Sequence, residues 1–183
     1  MPSRLKRFQE SRQTHFVTFC CHRRRESFTD ALAKRTFEVA LERVRRGFRL
    51  CVYGYVVMPE HVHLLLSEPQ RATLADAIKS LKQGVSRRLI GEAAHFWQAR
   101  YYDFNVRDYP PHAEKLRYIR RNPVQRGLCQ RPEDWEWSRL LQHANGYEGK
   151  IEIESEWTAR KRERAAAQLS PAQELPHSSQ QKA

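Results

Sequence analysis

Polar and apolar positions change period along the chain, and the changes mark out its elements. Residues 14–20 (THFVTFC) alternate and read as a half-buried strand. Thr29 or Asp30 can cap a helix on which Leu32, Phe37, Ala40, Leu41 and Val44 share one face; the spacing predicts a helix through Arg46 that stops at Gly47. Residues 49–57 (RLCVYGYVV) and 61–66 (HVHLLL) are strand patterns, and the short Met58-Pro59-Glu60 link makes them a hairpin.

Thr73 opens a second helix, with Leu74, Ile78, Leu81, Val85 and Leu89 on its apolar side. The aromatic-rich stretch 96–106 supplies a fourth strand. Pro110-Pro111 precede a third helix, from Ala113 to about Asn122, which Pro123 is expected to end. Gly127 and residues 132–137 read as a capped turn and a packed segment. The order β-α-β-β-α-β-α predicts an α+β fold of ferredoxin-like type, an antiparallel sheet with helices on one face. From about Gly149 the pattern decays. Residues 149–183 read as a charged tail, with a charged helix at 157–168 and disorder from 170 onward, which leaves one domain over 1–148.

Composition narrows the function. The 183 residues hold 33 Lys/Arg against 21 Asp/Glu, a net charge of +12. With six basic and five acidic residues in 149–183, +11 of that charge falls on 1–148. Such an excess favours an anionic polymer, most often nucleic acid. No run approaches the roughly 18 apolar residues of a membrane helix, and residues 1–16 lack the apolar core of a signal peptide. A cytoplasmic protein without a membrane partner is expected. Cys20, Cys21, Cys51 and Cys129 form no Cys-x-x-Cys, so reduced thiols are expected in place of a disulfide framework or a cysteine zinc site.

Two features carry candidate chemistry. His61-Val62-His63 lies on a strand, where alternate side chains share a face, so the imidazoles stand about 7 Å apart along it and can be cis ligands of one metal ion. On the third helix the apolar stripe is Ala113, Leu116 and Ile119, and Tyr118 is expected opposite it, among Lys115, Arg121 and Asn122. A phenol on a basic helix face is placed to meet a phosphate. Asn122 can add an oxygen ligand. Together these residues suggest a divalent ion acting on a phosphodiester while the tyrosine oxygen attacks phosphorus. A phenol is a weak nucleophile until it loses its proton, and no residue in the sequence identifies the base.

These motifs, in order, resemble a known family. Met58-Pro59-Glu60-His61-Val62-His63-Leu64-Leu65-Leu66, Phe96-Trp97-Gln98 with Tyr101-Tyr102-Asp103, and Tyr118-Ile119-Arg120-Arg121-Asn122-Pro123-Val124 with Gly127-Leu128 are similar to the REP-associated tyrosine transposases, among the single-tyrosine HUH transposases of bacterial insertion sequences. The resemblance spans about residues 10–142. It implies a ferredoxin-like nuclease domain, a Mg²⁺ or Mn²⁺ requirement, and cleavage of single-stranded DNA beside a hairpin that leaves a 5′-phosphotyrosine and a free 3′-hydroxyl. By position it makes His61 and His63 metal ligands with Asn122 as the third, and Tyr118 the nucleophile.

The basic residues Arg23, Arg24, Lys79, Lys82, Lys115, Arg117 and Arg121 are candidate contacts for single-stranded or hairpin DNA, and Phe96, Trp97, Tyr101 and Tyr102 are candidate base-stacking residues; Tyr109 is another phenol, read as packing or stacking. Monomer and homodimer are both open. A second class of function stays open too: a non-catalytic module that binds single strands on its sheet, with the histidines and Tyr118 purely structural. A relaxase or replication initiator of the HUH type is a third, disfavoured because no helicase or primase pattern is present.

Overall fold

The computed structural model describes residues 14–91, 95–107, 109–138, 151 and 153. Their elements run β1 (Thr14–Cys20), α1 (Ala31–Phe48), β2 (Val52–Val57), β3 (His61–Ser67), α2 (Leu74–Leu89), β4 (Tyr102–Val106) and α3 (Tyr109–Gln125). The order is the expected one. All neighbouring strands are antiparallel, in the spatial order β2-β3-β1-β4, the split βαβ arrangement of a ferredoxin-like fold.

Local chemistry explains most boundaries. Asp30 caps α1 by accepting from the Ala33 N–H at 2.7 Å, and Thr73 and Asp76 form a reciprocal capping box on α2. The expected stop at Gly47 is corrected. Gly47 lies inside α1, and the helix ends because Arg49 turns left-handed (φ 53°) while the Leu50 N–H reaches back to the Arg45 carbonyl at 3.1 Å. That closure lets Leu50 bury its side chain.

Alternation sorts the sheet into two faces. Val17, Phe19, Tyr55, Val57, Val62, Leu64 and Leu66 meet α1 and α2 in the main core, where Phe37, Leu41, Ile78 and Leu81 are buried. Ile151 and Ile153 join this core, with Ile153 bridged to Val52. Phe16, Val56, Met58, Leu65 and Val106 form a smaller cluster on the other face with Ile119 of α3. The helices therefore do not all share one face: α1 and α2 cover one, and α3 crosses the other.

Helix α3 also differs from expectation in length. Pro110 and Pro111 sit in its first turn, where missing N–H groups are harmless. It continues through Pro123 to Gln125, and Gly127 in the turn that follows, with a positive φ (68°), closes the end as Leu128 N–H bonds the Pro123 carbonyl at 2.9 Å. Pro123 is buried, and packing against the sheet outweighs the lost hydrogen bond. The fourth strand starts later than 96. Phe96 and Trp97 turn inward, with Trp97 edge-on to Phe19 at 4.9 Å and its Nε1–H donating to the Lys82 carbonyl at 2.9 Å. Their reading as base-stacking residues is corrected: both belong to the core.

All four cysteines are free thiols. Among the described residues no helix is long and apolar enough to cross a membrane. Apart from Ile151 and Ile153, the tail at 149–183, with its expected helix and disorder, lies outside the described residues, as does the Tyr109 side chain.

Candidate active site

β3 places His61 and His63 on the face that α3 crosses, and both imidazoles are buried. Their Nε2 atoms face each other at 3.0 Å. Each outer nitrogen has a partner: His61 Nδ1 lies 3.1 Å from Glu60 Oε1, and His63 Nδ1 lies 2.7 Å from Thr18 Oγ1 of β1. A carboxylate only accepts, so His61 Nδ1 carries the proton and its Nε2 is bare. His63 then donates from Nε2 to His61, and the Thr18 hydroxyl donates to His63 Nδ1. Because a hydroxyl both gives and takes a proton, Thr18 serves the other His63 tautomer equally well, the one that bares both inner nitrogens.

Electrostatics favour neutral rings. Burial, helped by the neighbouring His61 and by Lys115, pushes the His63 pKa down to about 3. Burial also lowers that of His61, although Glu60 pulls the other way. Burial alone would raise the Glu60 carboxyl; His61 and Arg126 outweigh it and hold it below the ordinary value.

From α3, Asn122 brings its Nδ2 to 3.5 Å from His63 Nε2. Its Oδ1 is buried with no hydrogen-bond partner among the described residues. Such an oxygen is costly to bury unless it receives something. No group of three or more His, Cys, Asp or Glu among the described residues could hold a metal ion, so a cation here would rest on two imidazoles and this amide. The donors fit that use: two rings that burial keeps neutral, with a tautomer within reach that bares both inner nitrogens, an orphaned oxygen, and outer partners that fix both rings.

Tyr118, half-exposed, presents its ring edge-on to His63 at 5.1 Å and to Phe16 at 5.8 Å. The expectation that it points away from the apolar stripe is corrected. At about 100° per residue it lies one step round from Ile119, on the stripe's border, and the sheet beneath that border is polar because it carries the histidines.

The other candidates divide. Arg24 follows β1 and lies close enough to His61 to depress its pKa; Arg23 beside it is exposed, and both hold positive φ (53° and 55°). Lys115 reaches over the site with its Nζ 4.8 Å from the Phe16 ring. Arg117 and Arg121 are exposed on the outer side of α3. Lys79 and Lys82 belong to α2 on the opposite face of the sheet, and Lys82 is held by the Gln98 and Ala99 carbonyls at 2.6 and 3.3 Å. Sequence reasoning passed over Thr18, Glu60 and Arg126, whose guanidinium donates to Glu60 at 2.6 Å. Only Glu60 left a signal, as the residue before His61.

Comparison with known proteins shows the family and the fold. The sequence profile of the family described as "Transposase IS200 like" matches residues 9–122. A Haemophilus influenzae protein assigned to the REP-associated tyrosine transposases is 28% identical over 138 residues, 68% of this chain and 77% of that one. A REP-associated tyrosine transposase of Escherichia coli K12 is 25% identical over 101 residues, 54% of this chain and 59% of that one. In fold, the chain is similar to a REP-associated tyrosine transposase solved bound to a REP hairpin, with a TM-score of 0.69 at 21% identity over 84% of this chain and 92% of that one. The chain thus belongs to the IS200-like transposase family of enzymes, and its sequence relatives are REP-associated tyrosine transposases.

Proposed function

We propose that this transposase is a metal-dependent single-stranded DNA endonuclease and strand transferase, cleaving beside palindromic hairpin repeats with Tyr118 as nucleophile. The observation that carries the proposal is the meeting of the half-exposed Tyr118 ring with the converging His61–His63 pair. Hairpin DNA as the substrate is supported by the similar fold that was solved with a REP hairpin bound.

In this reaction the Tyr118 oxygen bonds to phosphorus as the bond to the 3′ oxygen breaks. The phenol loses one proton and the departing oxygen gains one, giving a 5′-phosphotyrosine and a 3′-hydroxyl. The diester's energy stays in the new bond, so a 3′-hydroxyl can later reverse the exchange without ATP. Mg²⁺ or Mn²⁺ held by His61, His63 and Asn122 would supply Lewis-acid stabilisation of phosphoryl charge. Thr18 and Glu60 orient the rings, and Arg24 and Lys115 bring positive charge to the phosphate. Arg23, Arg117 and Arg121 extend that charge outward for the flanking strand. The protein would act in the cytoplasm.

The test is covalent capture of a labelled hairpin-flanked oligonucleotide with Mn²⁺ or Mg²⁺ present. The wild-type protein forms the adduct, and Tyr118→Phe abolishes it while leaving affinity near normal. An adduct that survives Tyr118→Phe rejects the assignment. Binding with no wild-type adduct would favour a non-catalytic single-strand binder.

A further inference from the structure

Among the described residues, seven large apolar side chains are exposed. Four are aliphatic and scattered: Leu32 and Val39 on α1, Ile90 after α2 and Leu128 after α3. The three aromatics gather. Tyr102 stands opposite Thr18 and Phe104 opposite Phe16 in the β1–β4 register, and Thr18 in turn stands opposite His63. Both rings therefore look out from the sheet face that carries the histidines. They are 48% and 41% exposed, on an edge strand. Lys115 joins them to the site, its Nζ 5.0 Å from the Phe104 ring and 4.8 Å from that of Phe16, and Phe16 touches Tyr118. The path Phe104–Lys115–Phe16–Tyr118 is continuous, and Tyr102 stands two residues before Phe104 on the same face of β4.

Edge strands are ordinarily guarded by charge, and two wet aromatic rings there are costly unless something covers them. The surroundings say what does. A cation beside the rings, on a chain of net charge +12, calls for an anion that also carries flat apolar surfaces. Rings two residues apart on a strand stand about 6.8 Å apart, twice the roughly 3.4 Å between stacked bases. Each ring thus suits one base of an extended strand, and a duplex, whose bases already stack on each other, has none to offer.

We propose that Tyr102 and Phe104 form a stacking shelf for two unpaired bases of single-stranded DNA next to the phosphate presented to Tyr118, with Lys115 on the linking phosphate. This rests on the reading above that a single strand enters this face. The test uses full-length Tyr118→Phe protein, so that binding is measured without chemistry, and oligonucleotides with 2-aminopurine scanned through the single-stranded flank of a hairpin. Fluorescence is quenched at one or two flank positions. Tyr102→Ala and Phe104→Ala each weaken binding about 5- to 100-fold and relieve the quench, whereas Phe104→Trp keeps both. Abasic sites at the quenched positions weaken the parent equally and make the alanine substitutions silent. Unfolding temperatures confirm that the variants fold. Unchanged affinity and quenching in the double alanine variant overturns the shelf. Wild-type protein that forms no adduct, but whose binding needs the two rings, rejects strand transfer and keeps the shelf; an adduct with binding indifferent to the rings rejects the shelf alone.

Discussion

Arg126, the first residue after α3, donates to Glu60 Oε1 at 2.6 Å, and the same oxygen takes the Nδ1 proton of His61 at 3.1 Å. One carboxylate oxygen thus ties the helix bearing Tyr118 and Asn122 to the strand bearing the histidines. The helix running past Pro123 holds the tie in place, because the Arg126 N–H bonds back to the Asn122 carbonyl at 3.0 Å.

If the two residues act together through His61, removing either should lower the rate of adduct formation about 10- to 100-fold. The Glu60→Ala/Arg126→Ala double variant should then lose little more than the worse single one. Single-turnover rates at saturating oligonucleotide measure this, and multiplying losses would show independent roles.

Thr18 offers a sharper probe of the metal proposal, because its hydroxyl meets His63 at Nδ1, the nitrogen turned away from His61. Thr18→Val leaves that buried nitrogen without its partner, so the Mn²⁺ concentration needed for half-maximal adduct formation should rise about tenfold or more, while Thr18→Ser restores it. His61→Ala, His63→Ala or added chelator should each reduce the adduct to background. Full activity in the presence of chelator would end the metal assignment.

The order of elements was legible because each segment has one dominant period and a capping residue at its start, as at Asp30 and Thr73. The histidine pair was legible for the same reason, since alternation puts residues 61 and 63 on one face. What stayed hidden depends on partners distant in sequence. Thr18 and His63 are 45 residues apart and Glu60 and Arg126 are 66 apart, and no local pattern records either pairing. An apolar stripe alone does not locate Tyr118, because the sheet below it is part polar. Phe96 and Trp97 carry the aromatic content of a strand, but that content cannot separate an exposed platform from a turn folded into the core.

Gly84 lies within α2 where that helix packs on α1. A Cβ there would sit 2.4 Å from an Arg43 guanidinium nitrogen, but 3.5 Å from its Cζ and 3.9 Å from the Ala40 Cβ. The guanidinium belongs to an exposed side chain and can swing into water. Gly84→Ala should therefore recover most of the helix propensity difference of about 1 kcal/mol and raise the urea midpoint slightly. Gly84→Leu has only the Ala40 wall to occupy and should lower it. A fall in stability for Gly84→Ala would mean that the Arg43 position matters more than helix propensity.

His15 gives a pH dependence of opposite character to that of the active-site rings. It is buried between Asp103, 2.8 Å from its Nδ1, and Glu68, 3.3 Å from its Nε2. Burial alone would lower its pKa; the hydrogen bonds and charges of the two carboxylates outweigh it, and the net shift is upward from 6.5. The folded state therefore holds this proton more tightly than the unfolded chain. The resulting stabilisation is complete below the unfolded value and disappears as pH rises through the folded one. Denaturant midpoints of wild-type protein should fall as pH climbs above about 6.5, the unperturbed histidine value. His15→Gln should be less stable at pH 6 and should lose this part of the slope, because its amide can meet one carboxylate but carries no charge to answer two. Parallel pH profiles for the two proteins would show that His15 does not hold the extra proton.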